Sequence, residues 1–169
     1  MSHAKNKVRW CLIKAERELK DSDTHRGLVE TDPNKEKAAE HINKAEHYLN
    51  ATIYLKEGNY SDISASTVFY AMYQCLLAIA AKFGYESRNQ ECTFALVNSL
   101  IEDKQIDLDK DMLEKISSFE TERSKEQTTV KVRERYQYGT SLTLEDSLYD
   151  EQLELAKKVI AKTKVIIER

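Results

Sequence analysis

The sequence predicts an all-α protein: an up-down antiparallel helical bundle of four to five core helices preceded by an N-terminal helix. Three observations predict it. Only four Gly and one Pro occur in 169 residues, and none interrupts an apolar pattern of helical period. Lys, Glu, Ala and Leu, all good helix formers, are abundant. Finally, residues 68–81 carry one polar side chain, Gln74, so a helix there is apolar on every side and must be wrapped by others.

Six helices follow in order. The first spans roughly 3–21, with Val8, Cys11, Leu12, Ala15 and Leu19 on one stripe. The second spans roughly 33–57, with Asp32 as N-cap, Pro33 in the first helical position, and the stripe Ala38, Ile42, Ala45, Leu49 and Ile53. The third is the central helix, roughly 61–83, ended by Gly84. The fourth, roughly 89–102, uses Phe94, Leu96, Val97, Leu100 and Ile101. The fifth starts near Asp109 with Met112, Ile116 and Phe119, and continues towards Tyr136 with a break near Gln127-Thr128-Thr129, where β-branched residues weaken helix. The last spans roughly 144–168, capped by Thr143, with Leu148, Gln152, Ala156, Val159, Ile160, Thr163 and Ile167 on its face. Short connections make the second, third, fourth and last helices antiparallel neighbours.

Bulk composition narrows the function. A net charge of −3 excludes nucleic-acid binding by overall electrostatics and leaves a local basic face open. Cys11, Cys75 and Cys92 are odd in number and lack CxxC spacing, so they read as reduced thiols of a cytoplasmic protein. Lys5, Lys7 and Arg9 precede no apolar segment of the kind a signal peptide needs. The apolar run at 68–81 falls short of the ~20 residues of a membrane span, so no membrane association is expected.

Most catalytic chemistries find no support. A di-iron bundle needs Glu-x-x-His, and none of His3, His25, His41 or His47 has Glu three positions earlier. His41 and His47 are six apart, about 240° around a helix, and cannot share a ligand face. No GxSxG elbow and no glycine-rich phosphate loop is present. Neither metal nor cofactor is therefore expected.

Three polar features remain. Ser87 and Gln90 match a capping box, which leaves Arg88, Asn89 and Glu91 unassigned. Gln74 either bonds a neighbouring side chain to fix register or lines a polar pocket. In Lys131-Val132-Arg133-Glu134-Arg135-Tyr136-Gln137-Tyr138-Gly139, Tyr136 lies three beyond Arg133 and Tyr138 three beyond Arg135, so each Arg has an aromatic on its own helix face. Guanidinium groups grip phosphate in bidentate fashion and aromatic faces stack bases, whereas the same pattern also suits an ordinary solvated face.

Ala45-Glu46-His47-Tyr48-Leu49, Glu57-Gly58-Asn59-Tyr60, the segment 66–73 (STVFYAMY) and the later Arg-rich stretch ending in Tyr138-Gly139 together resemble HEPN domains (higher eukaryote and prokaryote nucleotide binding) over roughly residues 38–167. The resemblance implies a prokaryotic homodimer with residues 1–30 as an N-terminal extension and 31–169 as the bundle domain. It implies nucleotide or RNA binding, and a minimal nucleotidyltransferase as possible partner in a toxin–antitoxin-like pair. Active members are metal-independent ribonucleases with Arg, four to six residues, then His. This chain departs from that signature: five residues beyond Arg133 stands Tyr138, and no His follows His47. A phenol is a poor general base near neutral pH. Arg133 and Tyr138 are thus the only catalytic candidates, and Arg133, Arg135, Tyr138, Asn89 and Arg88 the candidates for binding a nucleotide or phosphate. The expectation is a non-catalytic dimeric binding module; the alternatives are a ribonuclease with a substituted site and a purely structural interaction module.

Overall fold

A computed structural model describes residues 2–117 and 128–169. Among them the fold is all-α with one small strand pair: α1 (His3–Asp21), β1 (Leu28–Glu30), α2 (Lys35–Glu57), α3 (Ser61–Lys82), β2 (Tyr85–Ser87), α4 (Gln90–Glu102), α5 (Lys110–Ile116), α6 (Thr129–Tyr138) and α7 (Asp146–Glu168).

The apolar run sits in the centre, as its composition demands. α3 buries fourteen residues and packs against α2, α4, α6 and α7. By length and composition it is the one described helix that could cross a membrane, but 67% of its most apolar window is buried in the bundle. α2 and α3 form a helical hairpin across Gly58-Asn59-Tyr60, where Asn59 takes φ +64°. The main core joins Ile42, Phe69, Met72, Leu76, Ile79, Val97, Ile116, Val159 and their neighbours. A second, smaller core of Ala65, Val132, Tyr136, Leu144 and Tyr149 fixes α6 against α3 and α7.

Several helix starts move from their expected positions, and tertiary ties explain the shifts. Asn34, not Asp32, caps α2, its side chain accepting from the Lys37 N–H at 2.8 Å. The Thr31 N–H donates to the Gly84 carbonyl and the Asn34 N–H to that of Ala81, so the chain stays extended through Pro33. Thr143 does not cap α7. The Leu144 N–H donates to Ser61 Oγ at 2.9 Å and Leu144 is buried, which delays the helix to Asp146. The fifth helix ends at Ile116, earlier than the break expected near 127–129, and α6 starts at Thr129, capped by Thr128, which accepts from the Lys131 N–H. Phe119 and Gln127 lie outside the described residues.

The strands were not expected. β1 and β2 pair antiparallel with Leu28 opposite Ser87 and Glu30 opposite Tyr85. Gly84 makes the turn into β2 at φ +78°, and a Cβ there would meet the Thr31 carbonyl oxygen at 2.6 Å.

The thiol reading is corrected. Cys11 and Cys92 form a disulfide between α1 and α4, their Cα atoms 5.9 Å apart, and only Cys75 is free. Helix packing brings together two cysteines separated by 81 residues, which spacing alone does not reveal. Thiol content therefore no longer argues for a reducing cytoplasm. Cys75 is fully buried in α3, donates to the Ala71 carbonyl, and has its pKa pushed up to about 12 by burial, so it is an inert thiol.

Candidate functional site

α6 is short and polar, with only Thr129, Val130, Val132 and Tyr136 buried. Val132 and Tyr136, four apart, turn one face to the second core. That leaves Arg133, Arg135 and Tyr138 to the sides and to solvent. Thr129 closes the base of the helix: its hydroxyl donates to Gln152 Oε1 at 2.5 Å, deep under α7.

Arg133 lies against α3. Its guanidinium carbon stands 4.4 Å from the centroid of the Phe69 ring, and 14% of the side chain is exposed. Glu134 approaches Nη2 only at 3.7 Å. Nε is buried and has no hydrogen-bond partner among the described residues. A buried donor left unsatisfied costs about 1–3 kcal/mol, and the aromatic face returns part of that through a cation–π contact. The sequence pattern pairs Arg133 with Tyr136 and Arg135 with Tyr138. The fold corrects both: Arg133 takes Phe69 of α3, and Arg135, exposed, lies 5.5 Å from the Tyr136 ring. Tyr138 is 79% exposed near the end of α6.

Phe69 opens a row of rings. It stacks on Tyr73 at 5.8 Å with planes 12° apart, and Tyr73 meets Phe94 of α4 at 6.5 Å. The Tyr73 hydroxyl shares a hydrogen bond with Thr93 Oγ1 at 3.0 Å, and burial raises its pKa despite that bond. Sequence reasoning missed Phe69 and Tyr73 as neighbours of the Arg-rich segment. Their i,i+4 spacing puts both on one face of α3, but that says nothing about which helix covers the face.

Arg88 and Asn89 lie elsewhere, at the joint between β2 and α4. Asn89 is the N-cap of α4, its Oδ1 accepting from the Cys92 N–H at 3.0 Å. The expected Ser87–Gln90 capping box is not formed. Ser87 is in a strand, its hydroxyl 2.7 Å from Thr93 Oγ1, while Thr93 also donates to the Asn89 carbonyl. Arg88 Nε donates to Glu86 at 2.8 Å. His25 completes the set: the Gly27 N–H donates to Nδ1, which leaves Nε2 to face the same carboxylate at 3.4 Å. Partial burial works against ionising Glu86, but Arg88 and then His25 outweigh it, and the pKa is lowered.

A pocket of about 470 Å³ opens beside this joint, lined by Asn34, Lys37 and His41 of α2, Leu77 and Ala81 of α3, and Glu86, Ser87 and Arg88, among others. Nothing from α6 lines it. Gln74 lies beneath, 8% exposed, with Oε1 2.7 Å from His41 Nδ1, so it bonds a neighbouring side chain across α2 and α3. Of the five residues expected to share one site, the fold keeps Arg133, Arg135 and Tyr138 together on α6 and places Arg88 and Asn89 at the β2–α4 joint.

Chemically, α6 offers two guanidinium groups, one of them mostly buried, and an exposed phenol. It suits binding of anions and planar groups. No residue there has the proton-transfer properties of an imidazole. Comparison with known proteins finds no family model that matches the chain and no curated protein that matches it.

Proposed function

We propose that this protein is a HEPN-like, non-catalytic bundle that works as a homodimer and uses its α6 face to bind a nucleotide, an RNA or a nucleotidyltransferase partner. What carries the reading is the state of Arg133: a guanidinium laid on Phe69, mostly buried, with Nε unpartnered among the described residues. Nε itself is out of reach of solvent, so an acceptor supplied from outside would meet the 14% of the side chain that stays exposed. Arg135 and Tyr138, both exposed, extend the face. The signature histidine is replaced by Tyr138, which supports binding without cleavage.

The test is titration of the purified protein with a labelled single-stranded RNA and with ATP, alongside light scattering for its mass. The expected result is a dimer whose RNA affinity falls with salt. Arg133→Ala with Arg135→Ala should flatten the slope of log affinity against log salt by about 1.4, the contribution of two phosphate contacts to single-stranded nucleic acid. Absence of binding to either probe, with no nucleotidyltransferase co-purifying, overturns the reading. Metal-free RNA cleavage that Arg133→Ala abolishes would replace it with the ribonuclease.

A second reading has one observation in its favour, the packing of Arg133 on Phe69. If Arg133 only ties α6 to α3, Arg133→Ala lowers stability by about 1–3 kcal/mol and changes no binding.

A further inference from the structure

The N-terminal helix packs on α4 and β1 and carries a covalent tie to α4. α1 has nineteen residues but fully buries only Ala4, Cys11 and Ala15, two of them alanines. Val8 and Leu12 are half-buried, and Trp10, Ile13 and Leu19 face outward with 38–49% of their surface exposed. Burial of so little apolar surface holds a helix weakly. Its polar ties are peripheral: Lys5 to Asp103, Lys7 to Glu91, and the Ser2 hydroxyl to Glu102. Exposed pairs of this kind contribute little. The Cys11–Cys92 bond, both partners 0% exposed, is the principal tie between α1 and α4. Immediately beyond α1, Leu28 is fully buried and paired into the β1–β2 ladder, so the chain is anchored again seventeen residues after Cys11 (28 − 11).

We propose that the Cys11–Cys92 disulfide is a redox-operated staple, and that its reduction by a dithiol releases α1 while the α2–α3–α7 core stays folded. The chemistry balances as a thiol–disulfide exchange. A thiolate of the dithiol attacks Cys11 Sγ, the Sγ–Sγ bond breaks, and Cys92 leaves as thiolate. Cys92 is the better leaving sulfur because it is the third residue of α4, where the helix N-terminus favours negative charge. The second thiol of the reductant then attacks its own sulfur in the mixed disulfide and frees Cys11. Both cysteines take up protons, the reductant becomes a cyclic disulfide, and two electrons pass to the protein. Cys75, buried and poorly ionised, offers no competing nucleophile. Because both sulfurs are covered, attack waits for a transient opening of α1. Release also removes the α1 wall, His3, Ala4 and Lys7, from the pocket of about 190 Å³ that α1 forms with α4 and α5.

The experiment is hydrogen exchange on the full chain, with and without dithiothreitol, and on Cys11→Ser/Cys92→Ser without reductant. Reduction should lower amide protection across α1 about a hundredfold, the factor expected when a cross-link closing a tether of roughly this length is removed. The double variant should match the reduced protein, and α3 and α7 should stay protected well above the level to which α1 falls. Unchanged protection in α1 overturns the proposal, as does loss of α3 and α7 together with α1. Three reactive thiols in the unreduced, denatured chain also overturn it, because the bond would then not exist.

Discussion

The α6 face and the β2–α4 joint both carry Arg, Tyr and Thr, yet their hydrogen bonds end in opposite ways. At the joint the bonds close on themselves: Asn89 caps α4, Ser87 and Thr93 share a bond, and Arg88 and His25 converge on Glu86. On α6, Arg133 Nε has no partner among the described residues and Tyr138 stands in solvent. The lesson concerns the warrant for a site. A polar cluster in sequence reports only donors and acceptors. Whether the fold consumes them decides between architecture and recognition. Substitutions at the joint should therefore move stability, and substitutions on α6 should move binding.

The largest expected effect belongs to the closed region, whose α4 end is also covalently locked. Chain-entropy arguments put the Cys11–Cys92 cross-link, spanning 81 residues, at about 4.5 kcal/mol of global stability. Urea unfolding of Cys11→Ser/Cys92→Ser against the oxidised chain measures it. A loss below about 1 kcal/mol would mean the joint is not a stability element. Next comes Asn89→Ala, expected to lower stability by about 1 kcal/mol through the lost cap and to leave RNA affinity unchanged. Thermal melts and the same RNA titration check the two halves. The smallest effect concerns Glu86, whose folded pKa lies below its ordinary value. Its contribution is present above the ordinary glutamate range and is lost as pH falls through the lower, folded pKa. Glu86→Gln should reduce the loss of stability on acidification below about pH 4, read from melts across pH. An acid limb identical to the wild type would remove Glu86 from the closed network.

Much of the fold was legible in the sequence because helix period and chain breakers are local. The central position of α3 followed from composition alone, and the bounds of α1, α2, α3, α4 and α7 lie within two residues of their expected places, whereas α5 ends far earlier than expected. Where starts were misplaced, at Asn34 and Glu145, the cause is a bond to a distant element: Asn34 to Ala81, Leu144 to Ser61. Strands of three residues are too short to display alternation, and the ladder is set by Gly84 returning the chain to Thr31. The site was legible only in part. Arg133, Arg135 and Tyr138 are adjacent in sequence and stay adjacent on α6. The partner of Arg133, Phe69, lies on another helix, where intrahelical spacing rules do not reach. Asn89 is a candidate because the expected Ser87–Gln90 capping box leaves it unassigned, but its acceptor is taken by the α4 backbone.

The most direct test of the contrast is a paired RNA titration of wild type, Arg133→Ala and Asn89→Ala, each with its own thermal melt. The open-face account predicts at least a tenfold loss of affinity for Arg133→Ala, about 1.4 kcal/mol of binding, with a melting point near that of the wild type. It predicts wild-type affinity for Asn89→Ala, with a lowered melting point. Wild-type affinity in Arg133→Ala, or an equal loss in Asn89→Ala, would contradict it.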